Sequence, residues 1–226
     1  MRDVLLLVHG AFHGPWCWSL VMERLEARGV VCRAVDLNRG GLEPDRAALQ
    51  AEVDAARGEG HRVHAIGHSL GCASVQALDP TTLASAMLLA GSVHPIGGMP
   101  GLEGSLSKHF LSKLLPQPDG RSFIDLDTAR EAFYARCPPQ QADWALDRLR
   151  PTFVYGTAPS DPIFWEATAV TYLACDHDAV VSADYQKRVC EKMRYSERLD
   201  SDHSPMLGCP DRLAEAIERA MARSET

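Results

Sequence analysis

Residues 61–78 read His61-Arg62-Val63-His64-Ala65-Ile66-Gly67-His68-Ser69-Leu70-Gly71-Cys72-Ala73-Ser74-Val75-Gln76-Ala77-Leu78, and this stretch decides the fold. Residues 61–66 have strand character, a sharp turn follows, and the pattern predicts a helix over 69–78. In the turn, Ser69 is flanked two residues away on each side by Gly67 and Gly71, the G-x-S-x-G pattern of a nucleophile elbow. Such a turn forces strained dihedrals on the serine, and only glycine-sized neighbours let the chain pass close to it. The hydroxyl then stands at the carboxyl end of a strand, and the Leu70 N–H at the helix start faces developing negative charge. A G-x-S-x-G string also arises by chance in surface turns. Here the strand–turn–helix setting selects the catalytic reading.

Working outward, the same rhythm holds on both sides. Upstream, Val4-Leu5-Leu6-Leu7-Val8 is a continuous apolar run of the kind buried on both faces in parallel sheets. A helical pattern over 16–27 follows, with Gly29 where a C-cap glycine belongs. A second strand is predicted over 30–37, a turn at Asn38-Arg39-Gly40-Gly41, and a polar amphipathic helix over 44–57. Downstream, a fourth strand spans 84–90. The rhythm then breaks: residues 92–162 are rich in Gly and Pro, hold helical patterns over 104–115 and 128–135, and offer no convincing strand. It resumes with a strand over 169–174, a helix over 183–193, a strand over 195–199 and a last helix over 211–223. Alternation of this kind predicts an α/β fold, a mostly parallel, doubly wound sheet of about six strands. We expect one domain over 1–226, with a small helical cap inserted at about 92–162.

Composition narrows the function classes. The 226 residues are 46% hydrophobic and 23% charged, ordinary for a globular protein and unlike a disordered or collagen-like chain. Acids and bases are mixed, and a net charge of −7 supplies no basic stripe for nucleic acid or an acidic membrane surface. The longest clean apolar stretch, Val4 to Val8, is far short of a membrane span, and no small-residue cleavage site follows it. Seven scattered cysteines, none at C-x-x-C spacing, argue for reduced thiols rather than a disulfide framework or zinc site. The expected compartment is the cytoplasm.

A serine nucleophile needs a base, and the base an orienting acid, in the chain order Ser, Asp or Glu, His for this type of elbow. His203 lies in Asp200-Ser201-Asp202-His203-Ser204-Pro205-Met206, a loop after the last strand, from which it can reach back to Ser69. Its competitors fit less well. His9, His13, His64 and His68 precede the nucleophile, His61 begins a strand, His94 and His109 fall in the insertion, and His177 neighbours the acids. The acid is Asp178 or Asp176, both just beyond the strand over 169–174, and spacing separates them poorly. The loop His9-Gly10-Ala11-Phe12-His13-Gly14 should offer a second oxyanion donor, the N–H of Ala11 or Phe12, beside that of Leu70.

These strings resemble the α/β-hydrolase fold, and within it the small branch containing plant methyl-ester esterases, hydroxynitrile lyases and related bacterial esterases. The resemblance rests on Val8-His9-Gly10-Ala11-Phe12-His13-Gly14-Pro15-Trp16-Cys17-Trp18, Gly67-His68-Ser69-Leu70-Gly71, Cys175-Asp176-His177-Asp178 and Asp202-His203-Ser204-Pro205-Met206-Leu207, which span the chain. The string Phe133-Tyr134-Ala135-Arg136-Cys137-Pro138-Pro139 is similar to the branch's cap. The resemblance implies Asp178 as the acid and the Ala11 and Leu70 N–H groups as oxyanion donors. Lyases of the branch carry a threonine at the place of Gly10 and a lysine at that of Ser204, so the resemblance implies ester hydrolysis. Cys72 departs from the glycine common after the elbow and is expected to pack without doing chemistry. The short chain suggests a reduced cap.

The expected function is therefore a serine carboxylic-ester hydrolase, with Ser69, His203 and Asp178 as triad and no metal or cofactor. Its partner would be a small, largely apolar ester, in a pocket drawing on Phe12, Leu70, Phe133 and Trp144. Lyase, thioesterase or haloperoxidase chemistry on the same triad, or a non-catalytic receptor, are the rival readings.

Overall fold

A computed structural model describes residues 2–93, 104–155 and 164–223. The apolar run at the start forms β1 (Arg2–Val8), whose residues Val4 to Val8 are wholly buried. After a 3-10 turn come α1 (Ser19–Glu26), β2 (Val31–Val35), α2 (Leu42–Gly58), β3 (His61–His68), α3 (Gly71–Gln76) and β4 (Ser85–Leu89). The segment that follows contains α4 (Lys108–Leu111), β5 (Leu114–Pro116), β6 (Ser122–Ile124), α5 (Leu126–Phe133) and α6 (Pro139–Leu146). The chain then returns through α7 (Phe164–Ala167), β7 (Ala169–Cys175), α8 (Ala183–Lys192), β8 (Tyr195–Leu199), α9 (Pro205–Gly208) and α10 (Pro210–Ala222).

Six strands pair side by side in the order β2-β1-β3-β4-β7-β8, every pair parallel, as the apolar runs predict. The chain steps from β1 outward to β2, then back across β1 to β3. Right-handed crossovers place α1 and α2 on opposite faces, and the later rightward steps keep α3 and α8 with α2. Packing of α1 on α10 and of α2 on α3 fits this double winding. The order reverses at β1, so the crevice beyond the carboxyl ends of β1 and β3 is where such a sheet accepts a ligand.

Between β4 and β7 the structure differs from the expectation in detail. Helix α4 is one turn, capped by the Ser107 hydroxyl on the Phe110 N–H, and the expected run over 104–115 ends where Leu114 enters a strand. No strand was expected here, yet β5 and β6 form an antiparallel hairpin around Gln117-Pro118-Asp119-Gly120-Arg121. Three-residue strands carry too short an alternation to be read from sequence, although Asp119-Gly120 is a turn signal. Of the proposed cap range, residues 94–103 and 156–162 lie outside the described residues.

Candidate active site

β3 delivers Ser69 into the crevice. Its φ is +51°, a strained setting for a residue with a side chain, and its N–H donates to Leu89 O at 2.9 Å. The flanking glycines are there for space. A Cβ on Gly67 would lie 2.5 Å from Gly71 O, and one on Gly71 would lie 2.7 Å from His9 O. Gly91, at the end of β4, leaves room for Cys72, whose Sγ a Cβ there would meet at 2.3 Å. Cys72 is buried behind the elbow with its thiol toward Gly67 O at 3.0 Å, and burial pushes its pKa up.

His203 stands on the loop after β8, and its Nδ1 donates to Asp178 Oδ2 at 2.8 Å. Both side chains are buried. That bond leaves Nε2 as the ring's free acceptor. Asp178 is locked in turn. Its Oδ1 accepts the Val180 and Val181 N–H groups at 2.7 and 2.9 Å, and Oδ2 also accepts Gln186 Nε2 at 2.9 Å. Asp176 turns away to Arg198 Nε at 2.7 Å. Asp200 meets His177 and Arg136, and Asp202 accepts the Arg136 and Ser204 N–H groups. Of the two acids that spacing left open, Asp178 is the one hydrogen-bonded to His203. Ser69 and His203 line the same cavity with no hydrogen bond between their side chains.

The loop after β1 closes the other side. Gly10 is pressed against the elbow, since a Cβ there would lie 2.9 Å from both Ser69 Cβ and His68 Nδ1. Phe12 has φ +67°, and its N–H is taken by Thr152 Oγ1 at 2.8 Å. Of the two N–H groups that were alternatives for this loop's donor, that of Phe12 is thereby occupied. The N–H groups of Ala11 and Leu70 have no acceptor among the described residues, and both residues line the cavity.

The cavity is about 310 Å³. Its walls are mostly apolar: Phe12, Leu70 and Phe133 as expected, with Phe110, Val180 and Val181 added. Among the described residues, His203 is its only ionisable lining residue besides Tyr155. The Tyr155 hydroxyl donates to the buried Asp45 at 2.8 Å and meets Ser74 Oγ at 3.1 Å, which anchors that wall. Trp144 is a correction: it lies away from this cavity, edge-on to Trp16 at 5.3 Å and beneath the Arg148 guanidinium, where large aromatic and cationic faces pack together.

Other histidines serve the scaffold. His68 Nε2 donates to the His203 carbonyl at 2.8 Å, and burial holds its pKa well below the usual range. His13, also buried, is lowered to about 3. It donates from Nδ1 to Ala11 O at 2.7 Å and accepts the Tyr134 hydroxyl at Nε2 at 2.8 Å. His109 is exposed, and His94 lies outside the described residues. All seven cysteines are free thiols, and among the described residues no three His, Cys, Asp or Glu side chains converge as metal ligands do. No helix among them is long and apolar enough to cross a membrane. Sequence reasoning missed Thr152, Gln186 and Tyr155.

Comparison with known proteins places this chain in a family. The model of the alpha/beta hydrolase family matches residues 5–216, and the chain belongs to that family. It is 25% identical over 259 residues to a probable esterase of Oryza sativa subsp. indica, with 96% of each chain covered. It is 28% identical over 244 residues to the pyrethroid hydrolase of Sphingobium wenxiniae, covering 94% of this chain and 85% of the other. A methylesterase structure from Arabidopsis shares the fold, with a TM-score of 0.79 at 22% identity over 98% of this chain and 99% of that one. The chain is a hydrolase enzyme.

Proposed function

We propose that this alpha/beta hydrolase is a serine carboxylic-ester hydrolase for small, largely apolar, uncharged esters. The supporting observation is one of convergence. Ser69 on its strained turn, His203 tied to Asp178 at 2.8 Å, and two unengaged N–H groups all border one apolar cavity. In this reading Ser69 Oγ attacks the ester carbonyl as its proton passes to His203 Nε2. The hydrogen bond between the two groups closes as substrate binds. Asp178 holds the ring's tautomer and stabilises the imidazolium. The Ala11 and Leu70 N–H groups stabilise the tetrahedral oxyanion, each contributing about 3 kcal/mol. Collapse breaks the bond to the alcohol, which leaves with the proton from His203. Water, deprotonated by His203, then attacks the acyl-enzyme, releases the acid and restores Ser69.

The cavity wall argues for the substrate class. A charged acyl or alcohol group would lose its hydration with no counter-charge among the described lining residues. Cyanohydrin cleavage is disfavoured because Gly10 brings no hydroxyl and its crowded backbone leaves no room for one. The test is hydrolysis of a p-nitrophenyl ester series by wild type and Ser69→Ala, with a fluorophosphonate label located by mass spectrometry. We expect turnover of short, neutral acyl esters that is lost with Ser69, and a label on that residue. Correctly folded wild type that neither turns over nor labels would sink the reading.

A further inference from the structure

The backbone that carries Ala11 is held at successive peptide units. The Gly10 carbonyl accepts His9 Nδ1 at 2.8 Å, and the Ala11 carbonyl accepts His13 Nδ1 at 2.7 Å. The Phe12 N–H donates to Thr152 Oγ1 at 2.8 Å, and the Phe12 carbonyl accepts the Arg150 N–H at 2.9 Å. Arg150 Nε also reaches His13 O at 3.0 Å. In a trans peptide the carbonyl and the N–H point opposite ways. The bond on the Gly10 carbonyl therefore directs the Ala11 N–H away from His9. The next peptide is pinned at both ends, on its carbonyl by His13 and on its N–H by Thr152.

That second peptide needs both pins. Phe12 at φ +67° is a bulky residue in a left-handed setting, which persists only where surrounding contacts over-determine it. Thr152 is well placed to supply one. It is 2% exposed, and its backbone pairs with Ser122 of β6 through bonds of 2.8 and 2.9 Å. Its hydroxyl donates to Arg150 O at 3.3 Å, so a lone pair is left for the Phe12 N–H.

We infer that Thr152, carried by the segment between β4 and β7, is a positioning residue of the oxyanion hole. By taking the Phe12 N–H it holds the Ala11–Phe12 peptide in its strained setting and leaves the Ala11 N–H as the donor this loop turns to the cavity. The segment that walls the pocket thus also sets part of the catalytic geometry. The inference rests on the serine-hydrolase reading above.

The experiment compares wild type, Thr152→Val and Thr152→Ser on one short p-nitrophenyl ester, with Tm and fluorophosphonate labelling of Ser69 measured alongside. Valine keeps the shape and removes the acceptor, and serine keeps the acceptor. Thr152→Val is expected to lose about 10–100-fold in kcat with KM within about threefold of wild type, a part of what removing an oxyanion donor outright costs. Thr152→Ser should recover kcat to within about threefold of wild type. A trifluoromethyl ketone, which forms an oxyanion on Ser69, should lose affinity for Thr152→Val in proportion to kcat. A folded Thr152→Val with wild-type kcat and only a lowered Tm would overturn the inference while leaving the hydrolase reading intact. Wild type that neither turns over nor labels at Ser69 would overturn both. Should Thr152→Val fail to fold, the same kcat comparison between Thr152→Ala and Thr152→Ser decides the question.

Discussion

β3 and β4 pair along five residues and bury every side chain from Ser85 to Leu89, whereas β5 and β6 pair over three and leave Leu115 nearly half exposed. At the carboxyl ends of the sheet, Gly67, Gly71 and Gly91 have no room for a methyl group, since a Cβ there would meet its nearest neighbour at 2.5, 2.7 and 2.3 Å. In the hairpin, a Cβ on Gly120 would meet nothing closer than Phe153 at 3.9 Å. The first region places Ser69 on backbone that its own ladder holds, its N–H donating to Leu89 O at 2.9 Å. The second is held by side-chain ties back to the sheet, as at Asn38, whose amide donates to Pro151 O at 2.9 Å and accepts the Phe153 N–H at 3.0 Å. Rigid backbone suits chemistry that tolerates little displacement, and a tied-down wall suits selection among substrates.

The largest effect should come from the sheet side. Asp178→Asn is expected to lower kcat by about 10³–10⁴-fold, because the amide cannot hold the ring tautomer, while Asp176→Asn stays within about threefold. Equal losses in steady-state ester hydrolysis would erase the distinction the orientations draw. Urea denaturation compares the two regions directly. Gly67→Ala should cost about 3 kcal/mol or leave no folded protein, since its methyl meets backbone. Gly120→Ala, strained only by its φ of +84°, should cost about 1 kcal/mol. On the insertion side, Phe110→Ala removes a cavity wall that packs edge-on against Phe133 at 5.7 Å. We expect KM for a short acyl ester to rise about tenfold with kcat little changed, and the preference to move to longer acyl chains. A kcat loss without a KM change would mean that this wall, too, orients the catalytic groups.

A smaller effect is expected in pH dependence. His13 and His68 are kept neutral by burial in the folded protein, with His13 lowered from 6.5 to about 3. The unfolded chain therefore binds protons that the native one does not, and stability falls as pH drops below about 6.5. For His13 the loss runs down to about pH 3, at about 1.4 kcal/mol per pH unit, and His68 adds in the same direction. Urea midpoints followed from pH 7 to pH 4 would reveal this slope, and Phe or Gln at position 13 should flatten it. Smallest of all should be the effect of thiol reagents. Burial raises the pKa of Cys17, Cys72, Cys137 and Cys175, and Cys32 is pushed up to about 12. Iodoacetamide at neutral pH should leave hydrolysis unchanged.

Much of the first region was legible because parallel strands must be apolar on both faces and their turns must carry small residues. β8 fell at Tyr195–Leu199 as read, and β1 to β4 within one or two residues of expectation. Ser69 was singled out by a local string and His203 by chain order, and both line one cavity. The insertion was less legible. Its strands are too short for a period to show, and α6 begins at Pro139, inside a string that was read only as part of a cap. Trp144 was expected at the pocket as a residue of the cap, but its partners are Trp16 and Arg148.

By itself the sequence determined the alternation of strands and helices and the G-x-S-x-G turn around Ser69, since each follows from spacing within a few residues. Only the tertiary structure shows which partners Asp178 and Asp176 take, since they lie two residues apart but face the His203 ring and the Arg198 guanidinium respectively. It also decided which N–H of the first loop stays unengaged, because Thr152 lies 140 positions from Phe12 and no local pattern marks it. Contacts across such distances depend on how strands order and helices wind, and these are set by the packing of the whole chain.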